Sequence, residues 1–317
     1  MYSQVSALTT LFSLRDALLG LVTQLDKQQK ESTTNGLELY NLGEFVQAPP
    51  YLTIGACAGN PEAQYALAEI LRRQDNTLSD EAKDWYRRAA AKGHVYAMMR
   101  LGDEASLKNA KALAQASVER NEAQGMLTMY ELTQDIAWLK KSAEAGLAEA
   151  QYILADKYYK DETLITDAIV RRTTIDGLLK KAADAGFSKA IFWYGNRRPV
   201  AQDLPARRQW VEKRAQLNDV NGVLDYGLAL TGFYENDEGV DIEYGFEKDL
   251  VKGYGLIWLV IESTRELSRH SMARSYLVDL GTEMTDVQIA AAKAFAQQWK
   301  SSHGPMSQYR LSYNDIN

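Results

Sequence analysis

A short pattern, Ala-x-x-Gly-x-x-x-Ala, recurs along the 317 residues and constrains the fold more than any other feature. Its copies begin at Ala56, Ala90, Ala143 and Ala183. Two weaker copies carry Asn121 and Asn218 at the glycine position, and asparagine is the usual substitute for glycine where φ is positive. The six turn positions are separated by 25 to 40 residues, which is the period of a two-helix repeat.

The copy around Gly146 shows how one unit folds. Gly146 follows a helical pattern and can adopt the left-handed conformation that reverses the chain. Ala143 and Ala150 are small, so the two helices of the unit can approach closely. Neither helix can bury its apolar face alone, and stacking on neighbouring units completes the core. We therefore predict an all-α protein, a right-handed α-α superhelix built as a solenoid of two-helix repeats.

The best copy resembles a known repeat family. The segment Trp138–Tyr159, WLKKSAEAGLAEAQYILADKYY, is similar to the consensus of the Sel-one-like repeat (SLR) family, a relative of the tetratricopeptide repeats. A second good match starts at Trp85, and Met284–Trp299 resembles the closing segment of bacterial members. The resemblance implies a protein–protein interaction solenoid. Bacterial members of the family are adaptors in envelope and signalling pathways, or immunity proteins that accompany secreted antibacterial effectors, including phospholipase-type toxins.

The sequence predicts five segments. Residues 1–48 would be divergent N-terminal capping helices, with the first helix packed on the body and a polar turn at 31–36. The SLR array would span 49–230, and an acidic loop insert 231–250. A terminal repeat and capping helix would occupy 251–300, and a polar tail lying loosely on the surface 301–317.

Charge and composition exclude several classes of partner. The net charge is −6, whereas a generic nucleic-acid binder presents a basic surface, so we expect no nucleic acid. No apolar run reaches the ~18 residues of a membrane-spanning helix. One cysteine cannot form an internal disulfide. The chain as given is expected in the cytoplasm, or in the periplasm if a leader was removed.

The residues that usually carry chemistry are scattered. Three histidines, His94, His270 and His303, lie far apart and form no metal-binding spacing. Cys57 stands between alanines and is interpreted as a small buried residue. No phosphate loop, nucleophile elbow or dinucleotide motif is present. We therefore expect no catalytic residue, metal or cofactor, and disfavour an enzyme with an unrecognised site.

Two charged surfaces are candidate partner contacts. Arg87, Lys140 and Lys180 stand two residues after the start of their repeats, so stacking would align them in a basic row. The alternative for this row is a solvated helix face. The second surface is the acidic insert, with Glu235, Asp237, Glu238 and Asp241. The tryptophans that start repeats, Trp85, Trp138, Trp210 and Trp258, are predicted to anchor the core. The partner would be a protein, with a secreted antibacterial effector as the specific hypothesis and an adaptor or scaffold role as the alternative.

Overall fold

The computed structural model describes residues 2–75, 78–236, 239, 242–265 and 268–313, with side chains for all of these except 2–13, 75, 198 and 199. Within this part of the chain the secondary structure is helical, with one isolated bridge between Asp219 and Ser307 and no named strand. The helices are α1 (Tyr2–Leu42), α2 (Ala48–Cys57), α3 (Pro61–Asp75), α4 (Asp80–Ala91), α5 (Val95–Leu101), α6 (Glu104–Glu119), α7 (Ala123–Thr133), α8 (Ile136–Glu144), α9 (Ala148–Lys160), α10 (Ala168–Asp184), α11 (Ser188–Gly195), α12 (Arg198–Ala201), α13 (Leu204–Gln216), α14 (Val220–Leu230), α15 (Leu250–Ser263), α16 (His270–Thr282) and α17 (Asp286–Ser302), with a short 3-10 helix at Glu162–Leu164. The prediction of an all-α chain is confirmed.

The predicted turns are present at every expected position. The residue that reverses the chain between paired helices has positive φ in all six units: Gly59 (88°), Gly93 (85°), Asn121 (57°), Gly146 (92°), Gly186 (84°) and Asn218 (56°). At Gly146 the amide donates to the carbonyl of Ala143 (3.1 Å), and the amide of Leu147 donates to that of Ser142 (3.2 Å). This Schellman pair satisfies the last carbonyls of α8 and fixes where α9 begins.

The helices form two compact units. Unit 1 comprises the described chain up to Tyr40, Glu44–Leu101 and the described chain from Leu311. Unit 2 comprises Asn41–Gly43 and Gly102–Arg310. In each unit the paired helices pack on their neighbours in chain order, as in α2–α3–α4–α5 and α6–α7–α8–α9–α10–α11. The core of unit 1 is one cluster around Tyr65 and Tyr86, and unit 2 has clusters around Leu139 and Leu224.

Two predictions about the N-terminal segment are wrong. The expected polar turn at 31–36 lies inside α1, which continues to Leu42. Two of its residues pack on the body: Thr33 is buried, and Gly36 approaches the backbone of Leu52 in α2 closely. The expectation that the first helix packs on the body fails for Leu14–Leu25, whose large apolar side chains are more than half exposed.

The tail is not loose, which corrects a third expectation. In unit 2 the amide of Val220 donates to the carbonyl of Ser307 (3.0 Å), and Met306 is buried. In unit 1 the guanidinium of Arg100 donates to the carbonyl of Tyr313 (2.7 Å) and lies over its ring. Each described part of the tail is thus held by a hydrogen bond to one of its backbone carbonyls, which the polar composition of the segment does not reveal.

Candidate functional site

The candidate site is a pocket of about 430 Å³ in unit 2. Three helices supply one side of it: α11 with Phe192 and its C-cap Asn196, α13 with Arg214, and α14 with Asn221 and Asp225. The acidic insert supplies Tyr234, Glu243 and Tyr244, and Arg269 adjoins α16. The volume lies in the range of pockets that bind small ligands or single side chains of a partner.

Ion pairs form the floor of the pocket. The carboxylate of Asp225, whose side chain is 8% exposed, accepts from Arg269 at 2.7 Å and lies 3.5 Å from Arg214. Arg214 also pairs with Asp219 at 2.8 Å. Burial raises the pKa of Asp225, and the neighbouring Arg269 and Arg214 oppose that rise. The floor is therefore a matched charge network that holds α13, α14 and the segment before α16 in register.

Local helix chemistry positions this network. Asp219 is the N-cap of α14 and accepts from the amide of Gly222 (2.8 Å), while its other oxygen accepts from the Ser188 hydroxyl (2.6 Å). A Cβ on Gly222 would lie 2.8 Å from the backbone of Arg214. Only glycine allows α13 and α14 to approach this closely, and the approach brings Arg214 over Asp219 and Asp225.

The acidic insert forms a wall of the pocket and is anchored there. Arg207 of α13 donates to the carbonyl of Glu243 (3.0 Å), pairs with its carboxylate and lies over the ring of Tyr244. Arg208 donates to the carbonyl of Gly245 and covers Phe246. The described part of the insert is thus packed on α13, and much of its acidity is neutralised within the chain.

Two half-buried phenols face this network. Burial raises the pKa of Tyr234 to about 12, and the charge of Asp225 adds to the effect. Burial also raises the pKa of Tyr244 above its ordinary value, again with a contribution from Asp225. Both rings stay neutral near neutral pH, and they lie edge to face 5.3 Å apart. With Phe192, which is 54% exposed, they give the pocket aromatic surface beside polar groups that are already paired.

Of the four acidic residues predicted to contact a partner, one lies within the described residues. Glu235 is half-buried and pairs with Lys248 at 3.2 Å, so its charge is partly used within the chain. Asp237, Glu238 and Asp241 lie outside the described residues.

The predicted basic row remains a prediction. Arg87, Lys140 and Lys180 are all exposed, and Lys180 pairs with Asp184 at 2.7 Å. Arg87 belongs to unit 1 and the other two to unit 2, on α8 and α10.

The tryptophans that start the repeats explain why a cation recurs three positions after them. Trp85 is buried, whereas Trp138, Trp210 and Trp258 are half-buried. A cation three residues after the anchor covers its ring in three repeats: Arg88 over Trp85 (4.7 Å), Lys141 over Trp138 (4.5 Å) and Lys213 over Trp210 (5.3 Å). The cation three positions after each of these tryptophans therefore stabilises the anchor, whereas Arg87 and Lys140, one position earlier, face solvent.

The histidines and the cysteine have structural surroundings. His94 accepts from the amide of Ala97 (3.3 Å) and stacks on Tyr65, and His303 stacks on Trp299. Cys57 is exposed, which corrects the expectation that it is buried: it ends α2 on the side away from the core. Among the described residues no group of three His, Cys, Asp or Glu side chains is placed to hold a metal ion. A search of the same residues finds no helix that combines the length and apolarity needed to cross a membrane.

Sequence reasoning missed the pocket because its residues come from distant segments. Arg214 and Arg269 both pair with Asp225, and no sequence pattern around the three residues links them. One signal was available: the described insert carries four aromatic residues, Phe233, Tyr234, Tyr244 and Phe246, which is typical of a packed segment and not of a solvated loop.

Comparisons with known proteins find similar chains only among solved structures. No family model and no curated protein matches the chain. A protective antigen of uropathogenic Escherichia coli with an SLR fold is 20% identical, with a TM-score of 0.46, over 87% of this chain and 62% of that one. A Sel1 repeat protein from Oxalobacter formigenes is 18% identical, with a TM-score of 0.38, over 75% of this chain and 98% of that one. The chain thus spans less than two thirds of the first of these proteins. Both of these solved structures are of proteins with SLR or Sel1 repeats.

Proposed function

We propose that this protein is a non-catalytic interaction solenoid whose pocket in unit 2 receives a segment of a protein partner. The observation that carries the proposal is the lining of the pocket, where aromatic surface adjoins carboxylates that are paired with arginines. Groups matched in this way can recognise a side chain, but they offer neither a free base nor an activated nucleophile. Helical repeat proteins commonly present such surfaces to polypeptides.

The specific hypothesis is an immunity role. A protein of this kind would bind and neutralise a secreted bacterial toxin, of the sort delivered by type VI-like systems, with a phospholipase-type toxin as the first candidate. The hypothesis rests on the resemblance to SLR proteins. The net charge of −6 suits a basic toxin surface, whereas the basic row would suit an acidic one.

Two alternatives belong to other classes. An adaptor or scaffold in a bacterial envelope or signalling pathway would use the same pocket for an endogenous peptide. An enzyme with an unrecognised site is disfavoured, because each described carboxylate that lines the pocket is bound to an arginine. We expect no turnover of lipid, peptide or nucleotide substrates. A catalytic rate that disappears on substitution of one histidine or carboxylate would contradict this.

Binding to a candidate toxin encoded by a neighbouring gene is the direct test. Titration calorimetry should give a one-to-one complex, and co-expression should protect cells that produce the toxin. Absence of both binding and protection would contradict the immunity role, while recovery of a peptide motif from an envelope or signalling protein would favour the adaptor.

A variant pair then tests the pocket. Asn221→Arg places a long side chain in the pocket without removing a paired charge, and should weaken binding at least tenfold. Asn109→Arg adds the same charge at an exposed position on α6 and should leave the affinity unchanged. Equal affinities for the two variants would show that the partner binds elsewhere.

A further inference from the structure

The first half of α1 carries an unusually large exposed apolar surface. Six large side chains are between 53% and 62% exposed: Leu14, Leu18, Leu19, Leu21, Val22 and Leu25. A Cβ on Gly20, in the middle of this stretch, would meet no atom within 4 Å. By contrast, the end of α1 is packed, since Thr33 and Tyr40 are buried. Most of the stability of a protein helix comes from packing its apolar face, so the exposed half lacks the contact that would stabilise it.

The spacing of these leucines is that of a coiled coil. Leu14, Leu18, Leu21 and Leu25 follow one another at intervals of four, three and four residues. This is the a/d pattern of a heptad repeat, which places the four side chains in one seam along the helix. Leu19 stands outside that seam, although it is as exposed as Leu18, because one residue turns the helix by about 100°.

We infer that α1 pairs with α1 of a second copy of this chain through the seam of Leu14, Leu18, Leu21 and Leu25. This inference does not rest on the proposed function. The four seam leucines and the adjacent Val22 are a little over half exposed and would together bury on the order of 1,000 Å² across two copies, which is the lower limit expected of a specific interface. The available area is therefore that of a weak, reversible pair.

The charge of the segment also fits self-association. Arg15 and Lys27 balance Asp16 and Asp26, so the stretch is electrically neutral and two copies do not repel each other. The residues that flank the seam in a parallel pair would be Ala17 beside Val22 and Gln24 beside Gln29, which place no like charges opposite each other. The same neutrality gives no attraction to an anionic membrane, for which peripheral helices carry an excess of lysine and arginine.

Light scattering coupled to gel filtration tests the inference on the full chain. The wild-type protein should elute at twice the 35.6 kDa chain mass at micromolar concentration. Leu18→Glu places charges in the seam and should raise the dissociation constant at least 100-fold, which gives monomers. Leu19→Glu makes the same change at a neighbouring, equally exposed position outside the seam and should leave the dimer intact. Leu18→Met keeps the volume and should also dimerise.

The outcomes separate the seam from its alternatives. A larger homo-oligomer that is lost in Leu18→Glu but kept in Leu19→Glu would still support pairing through the seam. A monomeric wild type would overturn the inference, and so would equal effects of the two glutamates. If the monomer sedimented with anionic lipid vesicles, the exposed face would be a membrane contact instead. Circular dichroism of each variant shows whether the fold is retained.

Discussion

Gly146 reverses the chain between α8 and α9 at a φ of 92°, and a Cβ there would meet no atom within 4 Å. The cost of a side chain is therefore backbone strain alone. Gly146→Ala should lower the free energy of unfolding by about 1 kcal/mol. Gly177 is exposed inside α10, also without a neighbour within 4 Å, so Gly177→Ala should stabilise by up to about 1 kcal/mol. Urea denaturation measures the free energy of unfolding of both variants. A lower value for Gly177→Ala than for the wild type would contradict this explanation.

Glu69 is the most buried charge of unit 1, and its side chain is fully inaccessible. It accepts from the Tyr86 hydroxyl (2.7 Å) and from Arg100 (2.7 Å), and pairs with Arg72 at 3.3 Å. Glu69→Gln removes the only negative charge in these pairs and leaves the half-buried Arg100 without a carboxylate partner. We expect a loss of about 3 kcal/mol or more.

Glu81→Gln is the control for this change, because Glu81 is exposed on α4. It should alter the free energy of unfolding by about 0.5 kcal/mol or less. Similar losses for the two variants would mean that the Glu69 network contributes little.

Gly146 and Glu69 differ in how far the sequence predicts their structure. The conformation of Gly146 was predictable, because its place after a helix recurs at the same offset in each unit. The burial of Glu69 was not, because charged residues are usually exposed and the partners Tyr86 and Arg100 stand on other helices.

At the scale of elements, Asn121 and Asn218 have the same role in the sequence and different surroundings in the structure. Both turn the chain with φ near 57°. Asn218 is buried, accepts from the indole of Trp299 (3.0 Å) and donates to the carbonyl of Gly304 (2.5 Å). It therefore ties the α13–α14 turn to the end of α17.

Replacement by glycine separates the two contributions of an asparagine at the turn, its left-handed backbone conformation and its side-chain hydrogen bonds. Glycine keeps the turn, so Asn218→Gly removes only the side-chain bonds and should cost about 2 kcal/mol, since the indole is left unpaired. Asn121 is exposed, and Asn121→Gly should be neutral to within about 0.5 kcal/mol. Thermal unfolding of the two variants provides the comparison, and equal midpoints would contradict the role given to Asn218.

The α6–α7 turn carries a titratable contact. Hydrogen bonds from Arg120 and Ser117 lower the pKa of Glu122 to about 2, although the carboxylate is exposed. A lowered pKa means that the contact stabilises the folded chain above the ordinary pKa of 4.5 and is lost as the pH falls from there towards 2. Carboxyl NMR should show the low midpoint in the wild type and a higher one in Ser117→Ala. An ordinary midpoint in the wild type would contradict the contact.

The sequence predicted local elements better than their contacts. The segment Met284–Trp299, which the sequence singled out, contains most of α17, whose N-cap Thr285 forms a capping box with Gln288. The tail was misjudged because its bonds to Asn218 and Val220 join segments about 90 residues apart, which no local pattern encodes. A first helix was predicted, but a sequence does not show which apolar side chains of a helix remain uncovered.

At the scale of the whole molecule, the chain combines an acidic total charge with candidate contacts of both signs. The pocket itself is nearly balanced, because Arg207, Arg214 and Arg269 oppose Asp219, Asp225 and Glu243. Long-range attraction of a partner must therefore come from exposed charges outside the pocket, and the basic row is the predicted source. Charges at the rim of an interface govern mainly the association rate and its dependence on salt, whereas buried aromatic contacts dominate affinity.

Reversal of Arg87, Lys140 and Lys180 to glutamate tests the row once a partner is in hand. Each reversal changes the charge by two, so the net charge falls from −6 to −12. A control that reverses the exposed Lys108, Lys111 and Lys300 reaches the same net charge at other positions. If the row contacts an acidic partner, the first variant should slow association about tenfold at low salt, more than the control, with a smaller effect at high salt. Equal rates in the two variants would show that Arg87, Lys140 and Lys180 form only a solvated helix face.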